Sequence, residues 1–152
     1  MKLVPLNGAN LSHFEKRCAA VSESSNRKWG QMSVTQMLNH LRLLVELSLE
    51  ERQLPDVSNW LSRTKFFQWA IIEIMPWPKG KIKAPLTLND PTLKPFAEEK
   101  QLFELSMKRF AEAVDSKPGR ITRSPMVGPI SLEKWSRLHG KHLDHHLNQF
   151  GV

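Results

Sequence analysis

The chain has 152 residues, of which 40% are hydrophobic and 24% charged, and its formal net charge is +7 at pH 7. This length favours a single domain over residues 1–152, and five Trp and seven Phe residues argue against an intrinsically disordered protein. The single cysteine, Cys18, excludes an internal disulfide and fits a reducing compartment.

The chain shows no targeting or membrane segment. Its first residues, MKLVPLNGANLS, lack the apolar run of a signal peptide. The longest apolar stretch, FFQWAIIEIMPW, contains Gln68 and Glu73 and is shorter than the roughly 20 residues of a membrane helix. We therefore expect a cytoplasmic protein with no membrane partner.

The positive charge raises the question of a nucleic-acid partner. The densest basic cluster, KGKIKAP at residues 79–85, lies in a proline-containing segment and lacks the interleaved aromatic residues that stack on bases. The pattern therefore favours a solvated, solubilising surface over a nucleic-acid interface.

Helical periodicity predicts two helices in the first third of the chain. The first spans residues 12–24, where Ser12 and Glu15 have the spacing of a capping box. The second spans residues 33–51, with a similar box formed by Ser33 and Gln36. Its body is apolar over most of its circumference, which is typical of a central helix in a bundle.

Three more helices are predicted, over residues 58–75, over residues 93 or 95 to 114, and over residues 131–149. The third stops before Pro76, and the last begins at Ser131 with Glu133 in its first turn. The Pro-rich residues 76–92 form a long connection, and SPMVGP forms a second loop. No alternating strand pattern is evident, so the sequence predicts an all-α bundle of four principal helices and one extra helix.

The last predicted helix contains LHGKHLDHHLNQF, with four of the six histidines. On a helical wheel His139, His142 and His146 lie in the apolar seam, which is the side of the helix that carries Leu132, Trp135, Leu143 and Phe150. His145 lies at the edge of this seam. Burying an imidazole is unfavourable unless its nitrogens find partners, and one metal ion can satisfy several. His142 and His146 are one turn apart, whereas His139 lies about 10 Å along the axis from His146.

A third ligand is expected from a facing helix, and His40 is the candidate because it lies on the apolar face of the second helix. The predicted site is therefore His40, His142 and His146, with an open position as in catalytic metal sites. The alternative is a structural core in which these histidines bond to backbone carbonyls, to Gln36 or to each other.

Two segments, WGQMSVTQMLNHL and SLEKWSRLHGKHLDHHLNQFG, resemble the DinB-like (DinB/YfiT) metalloenzyme superfamily, in a branch with a KHLDHHLxQFG-like C-terminal motif. The resemblance implies a four-helix bundle of up-down-down-up topology. It also implies a divalent metal, zinc or nickel, held by His40 and by the HxxxH pair His142 and His146. Some members of the superfamily are transferases or isomerases that use low-molecular-weight thiols.

The residue that follows the first ligand favours thiol chemistry over peptide hydrolysis. A zinc protease has a general-base Glu there, whereas this chain has Leu143, followed by an outward-facing Asp144. We therefore expect a transferase-like enzyme that acts on a small molecule, and a thiol ionised by the metal needs no protein base. The alternatives are a non-catalytic bundle, such as a homodimer, and a basic interaction module. Four further side chains could support the ligands, line the pocket or simply pack: Gln36, Trp135, His139 and His145.

Overall fold

The computed structural model describes residues 3–79 and 93–152, and the fold in these ranges is mostly helical. The helices are α1 (Leu11–Ala19), α2 (Val34–Ser48), α3 (Lys65–Trp69), α4 (Phe96–Ser116) and α5 (Leu132–Gln149). A 3-10 turn (Gly8–Asn10) precedes α1, a π-helical turn (Ala70–Ile74) continues α3, and strands β1 (Ile121–Ser124) and β2 (Gly128–Ser131) join α4 to α5. Most of the predicted Pro-rich connection, residues 80–92, lies outside the described residues.

The two helices that carry the candidate ligands begin where the sequence predicts. At the start of α2 the Ser33 hydroxyl accepts from the Gln36 backbone N–H, and the Gln36 side chain accepts from the Ser33 N–H. The Ser131 hydroxyl caps α5 by accepting from the Lys134 N–H. These caps fix where each helix begins, and so fix which face each histidine occupies. The end of α2 lies at Ser48, earlier than predicted.

The boundaries of α1 and α4 differ from the prediction. The expected capping box at Ser12 is wrong, because α1 already begins at Leu11 and is entered through the 3-10 turn, which the Asn7 side chain caps. It also ends at Ala19 rather than at residue 24. Helix α4 begins directly after Pro95 and runs two residues beyond the predicted end at residue 114.

The predicted helix over residues 58–75 is wrong in its first half, since α3 begins only at Lys65. Upstream, the Asn59 carboxamide oxygen accepts from the backbone N–H groups of Leu61 and Ser62. Short polar side chains of this kind offer the backbone an alternative to helical hydrogen bonds. Regular helix starts where the Thr64 hydroxyl accepts from the Phe67 N–H.

The hairpin of β1 and β2 contradicts the expectation of a purely helical fold. Its antiparallel register places Thr122 opposite Ile130. The inner face of β1 carries polar side chains, and the buried Thr122 hydroxyl donates to the Ser48 carbonyl at 2.9 Å. A strand whose buried positions are Thr and Ser has no apolar alternation, so the usual sequence signal was missing.

The helices pack around one apolar core, and none in the described ranges combines the length and apolar character that a membrane crossing requires. A buried ion pair joins α2 to α4: the Glu99 carboxylate, fully buried, accepts from Arg42 at 3.0 Å and from Asn39 at 3.1 Å. The largest fully buried side chains are Trp135, Phe14, Phe103, Phe110, Leu6, Met37, Leu38, Leu41, Met107, Ile130, Leu132 and Leu143.

The N-terminal segment lies directly on α5. The Leu6 N–H donates to the Ser136 carbonyl at 2.9 Å, and the Ser136 hydroxyl donates to the Leu6 carbonyl at 2.7 Å. At Gly140 a Cβ atom would lie 1.8 Å from the Val4 carbonyl oxygen. Only glycine fits this crossing without moving one backbone away from the other.

Candidate metal centre

Three buried imidazoles from two helices converge in the core. His40 projects from α2, and His142 and His146 project from successive turns of α5. Their ring centroids are 4.6–5.1 Å apart, and one nitrogen from each ring lies within 4.8 Å of the others. In the described ranges this is the one cluster of three His, Cys, Asp or Glu side chains that could hold a metal ion.

The nitrogen positions suit a shared ion. The Nε2 atoms of His40 and His142 are 3.0 Å apart, close to the roughly 3.3 Å separation of two imidazole nitrogens on a tetrahedral zinc. The Nδ1 atom of His146 is 2.8 Å from the Gln149 side chain, which leaves Nε2 of His146 available. Thus each ring keeps Nε2 for the centre of the cluster.

Hydrogen bonds among the three rings do not satisfy all of their buried nitrogen atoms. The Nδ1 atoms of His40 and His142 are buried and have no hydrogen-bond partner in the described part of the chain. Two neutral rings that share one Nε2–H···Nε2 bond still leave one ring with a buried Nδ1–H donor that no acceptor meets. An ion bound by the three Nε2 lone pairs would place a buried Nδ1–H on both His40 and His142, at about 1–3 kcal/mol each, and a binding energy of about 10–16 kcal/mol, as for structural zinc, would offset that cost, so the residues present fit a metal ion.

Burial keeps the three rings neutral. It lowers the pKa of His40 to about 4 and that of His146 to about 3, and neighbouring histidines add to both effects. The pKa of His142 is also lowered well below its usual range, again mainly by burial. Neutral imidazoles have a free lone pair at pH 7, so protons do not compete with a metal ion there.

Aromatic side chains form a rim beside the triad. The Trp77 ring lies 5.2 Å from His142, and both Trp77 and Trp29 lie 6.0 Å from His145. The Lys79 ammonium lies 4.7 Å from the centre of the Trp29 ring. Both tryptophans come from segments outside the helices, so helical periodicity gave no signal for them.

The other residues singled out in the sequence do not join the triad, although His145 contacts it. Gln36 is exposed, and its side chain completes the capping box at the start of α2. His139 is buried between Trp135 and Phe110, and its Nε2 lies 2.9 Å from the Ser48 hydroxyl. His145, half-buried, contacts His146 and the rim, and burial lowers its pKa.

No acidic side chain joins the cluster within the described residues. Asp144 pairs with Arg17 of α1 at 2.8 Å, and Leu143 is buried in the core. Cys18 is also buried, which raises the pKa of its thiol to about 12 and keeps it protonated at neutral pH. Among the described residues the site therefore consists of imidazoles and indoles, without a carboxylate base or a protein thiolate.

The sequence analysis missed Gln149, which contacts a candidate ligand directly. Its signal was its position three residues after His146, which places both side chains on one face of α5.

Comparisons with known proteins bear on the family alone. No curated protein and no solved structure is similar enough to this chain to match it. Residues 3–151, nearly the full length, match a family described as "Protein of unknown function (DUF1569)". The chain with this three-histidine cluster therefore belongs to the DUF1569 family.

Proposed function

We propose that the protein is a metal-dependent enzyme that acts on a small molecule, with chemistry like that of the thiol-dependent transferases. His40, His142 and His146 would hold a divalent metal ion, zinc or nickel. The observation that carries the proposal is the convergence of three neutral, buried imidazoles from two helices. The resemblance of the segments WGQMSVTQMLNHL and SLEKWSRLHGKHLDHHLNQFG to DinB-like metalloenzymes supports the same three ligands.

The absence of a carboxylate in the described cluster supports the transferase-like reaction over peptide hydrolysis. A bound divalent ion lowers the pKa of a coordinated water or thiol, so that a nucleophile forms at neutral pH. The protein's own contribution is to keep the ligands unprotonated and to surround the centre with indole rings. Asp144 takes no part, because it is paired with Arg17.

The test is to measure the metal content of the purified protein by elemental mass spectrometry. We expect close to one zinc or nickel ion per chain, and loss of that ion in His142→Ala and His146→Ala. His13→Ala is the matched control, because His13 is exposed and lies on α1. Full occupancy in both α5 variants would contradict the ligand assignment. A screen of thiol cosubstrates on the loaded protein then tests the reaction class.

One observation favours a second candidate, a non-catalytic fold with structural histidines. The Nε2 atoms of His40 and His142 are close enough for a direct hydrogen bond. In that case purified protein contains no metal, zinc does not bind, and His142→Ala changes only the stability.

A further inference from the structure

Gln149, the last residue of α5, is bonded at both ends of its buried carboxamide. Its Nε2 group donates to the Trp29 carbonyl at 2.7 Å, and its oxygen lies 2.8 Å from Nδ1 of His146. One side chain thus connects a candidate ligand to the segment that carries the rim residue Trp29.

The direction of these bonds follows from elementary chemistry. A backbone carbonyl only accepts hydrogen bonds, so Trp29 must face the NH2 end of the Gln149 amide. The amide oxygen, which also only accepts, then faces His146 and requires a proton on its Nδ1. A neutral imidazole carries one N–H, so Nε2 of His146 is left as a bare lone pair aimed at the triad.

The surrounding backbone holds the amide in this orientation. The Lys28 N–H donates to the Gln149 carbonyl at 2.7 Å, so Gln149 is bonded to residues 28 and 29 through both its backbone and its side chain. Gly30 has a φ of +79°, and a Cβ atom there would lie 2.5 Å from the Gln149 amide nitrogen. The turn at residues 28–30 is therefore shaped around this one side chain.

His146 differs in this respect from the other two candidate ligands. His40 and His142 have no partner for Nδ1 in the described residues, so only the Nε2···Nε2 contact between the two rings relates their tautomers, and it does not fix which ring carries its proton on Nε2. We propose that Gln149 is a positioning residue that sets the tautomer of His146 and makes it the pre-organised ligand of the centre. The inference deepens the proposed function and rests on it for its consequence in metal binding.

The first test reads the tautomer directly, by nitrogen NMR of the histidine rings in the metal-free protein at pH 7.5. We expect the proton of His146 on Nδ1 in the wild type and in Gln149→Glu, where one carboxylate oxygen can still accept from Nδ1 although the other can no longer donate to the Trp29 carbonyl. In Gln149→Met, which removes the acceptor at similar volume, we expect a tautomer mixture or a proton on Nε2. A wild-type proton on Nε2 would overturn the proposal whether or not any variant folds.

The second test measures zinc affinity by competition with a chromophoric chelator. We expect Gln149→Met to bind zinc about 10- to 100-fold more weakly, the usual effect of losing such a supporting group, and Gln149→Glu to recover only part of the loss, because its carboxylate accepts from His146 but cannot donate to Trp29. Asn148→Ala is the matched control, because Asn148 is the neighbouring residue and its exposed side chain bonds to Arg17 rather than to a histidine. Unchanged affinity and tautomer in a folded Gln149→Met protein would refute the inference. Failure of the wild type to bind zinc would refute the proposed function and leave the NMR result to decide this one.

Discussion

Burial does not follow apolar content in α5 and in residues 57–75: α5 has five apolar residues in 18, whereas residues 57–75 have eleven in 19 and leave several of the largest exposed. In the seam, Trp135 is 1% exposed and Leu143 is also 1% exposed, and even the histidines are buried. In the other segment Trp60 is 80% exposed and Phe66 is 74% exposed. Apolar composition alone therefore did not decide what is buried here.

The difference lies in what each segment's polar residues do. The charged residues of α5 occupy one side, so its inward face can pack against α2 and α4 without breaking helical hydrogen bonds. In residues 57–64 short polar side chains bond to nearby backbone and hold turns instead. A regular stripe produces a buried helix, whereas interspersed capping residues leave aromatic side chains in solvent.

We expect acid to cause the largest loss of stability, because buried histidines are concentrated in and around the apolar seam of α5. Burial lowers the pKa of His40 to about 4 and of His139 to about 3, whereas unfolded histidines titrate near 6.5. The free energy of unfolding is therefore highest above pH 6.5. It falls as the pH drops from 6.5 towards 4, because the unfolded chain binds more protons than the folded chain over this range. Each such histidine contributes on the order of 1.4 kcal/mol per pH unit.

Urea unfolding of the metal-free protein at pH 7.5, 6 and 5 measures this slope. In His139→Gln the slope of the free energy of unfolding against pH should decrease by about 1.4 kcal/mol per pH unit, which is the contribution of one bound proton. A free energy of unfolding that does not change between pH 7.5 and 5 would show that these rings are not buried and neutral.

A smaller loss is expected where α2 and α4 are joined. Glu99→Ala leaves the Arg42 guanidinium buried, with Glu46 as a remaining partner at 2.9 Å, so we expect a loss of about 3 kcal/mol. The neighbouring Glu98→Ala is the control: Glu98 is half exposed and 3.9 Å from Lys94, so its removal should change stability by less than about 0.5 kcal/mol. If both variants lose the same free energy of unfolding in chemical denaturation, the buried ion pair contributes no more to stability than the exposed one.

Metal removal should lower the melting temperature of the zinc-loaded protein. At a zinc concentration 100 times the Kd, binding adds about 2.7 kcal/mol, which corresponds to roughly 5–10 °C for a chain of this size. Calorimetry with and without a strong chelator measures the difference, and His142→Ala should show no response. A wild-type melting temperature that the chelator leaves unchanged favours the structural role of the histidines.

The smallest effect is expected in the exposed segment. Trp60→Ala removes a side chain that is 80% exposed and should change the free energy of unfolding by less than about 0.5 kcal/mol. The same truncation at Trp135 should cost about 3–5 kcal/mol, because it leaves a cavity in the core. A large loss in Trp60→Ala, measured by thermal unfolding, would mean that this segment is covered in solution.

Local signals in the sequence were sufficient to predict which histidines come together but not which residues support them. Ser33 and Ser131 fix the starts of α2 and α5, and the i, i+4 spacing of His142 and His146 then follows from helical geometry. The support for His146 could not be predicted in this way. It depends on the Trp29 carbonyl, a backbone atom brought in by a distant turn.

The same limit applies to the rest of the fold. The hairpin was missed because Thr122 and Ser124 occupy its buried positions, and the third helix was overextended because the Asn59 side chain accepts from the backbone N–H groups of the residues that follow it. In both cases a polar side chain found its partner within the protein, and hydrophobic periodicity does not register such partners. The family match, over residues 3–151, adds no role for any of these residues.

The crossing of the N-terminal segment over Gly140 has a consequence for how the domain can be trimmed or fused. Residues 3–7 form no regular element, yet two hydrogen bonds and a backbone contact attach them to the helix that carries His142 and His146. A protein shortened to the start of α1 would expose a slot along that helix. A synthetic peptide corresponding to the missing residues has the shape to fill that slot from outside.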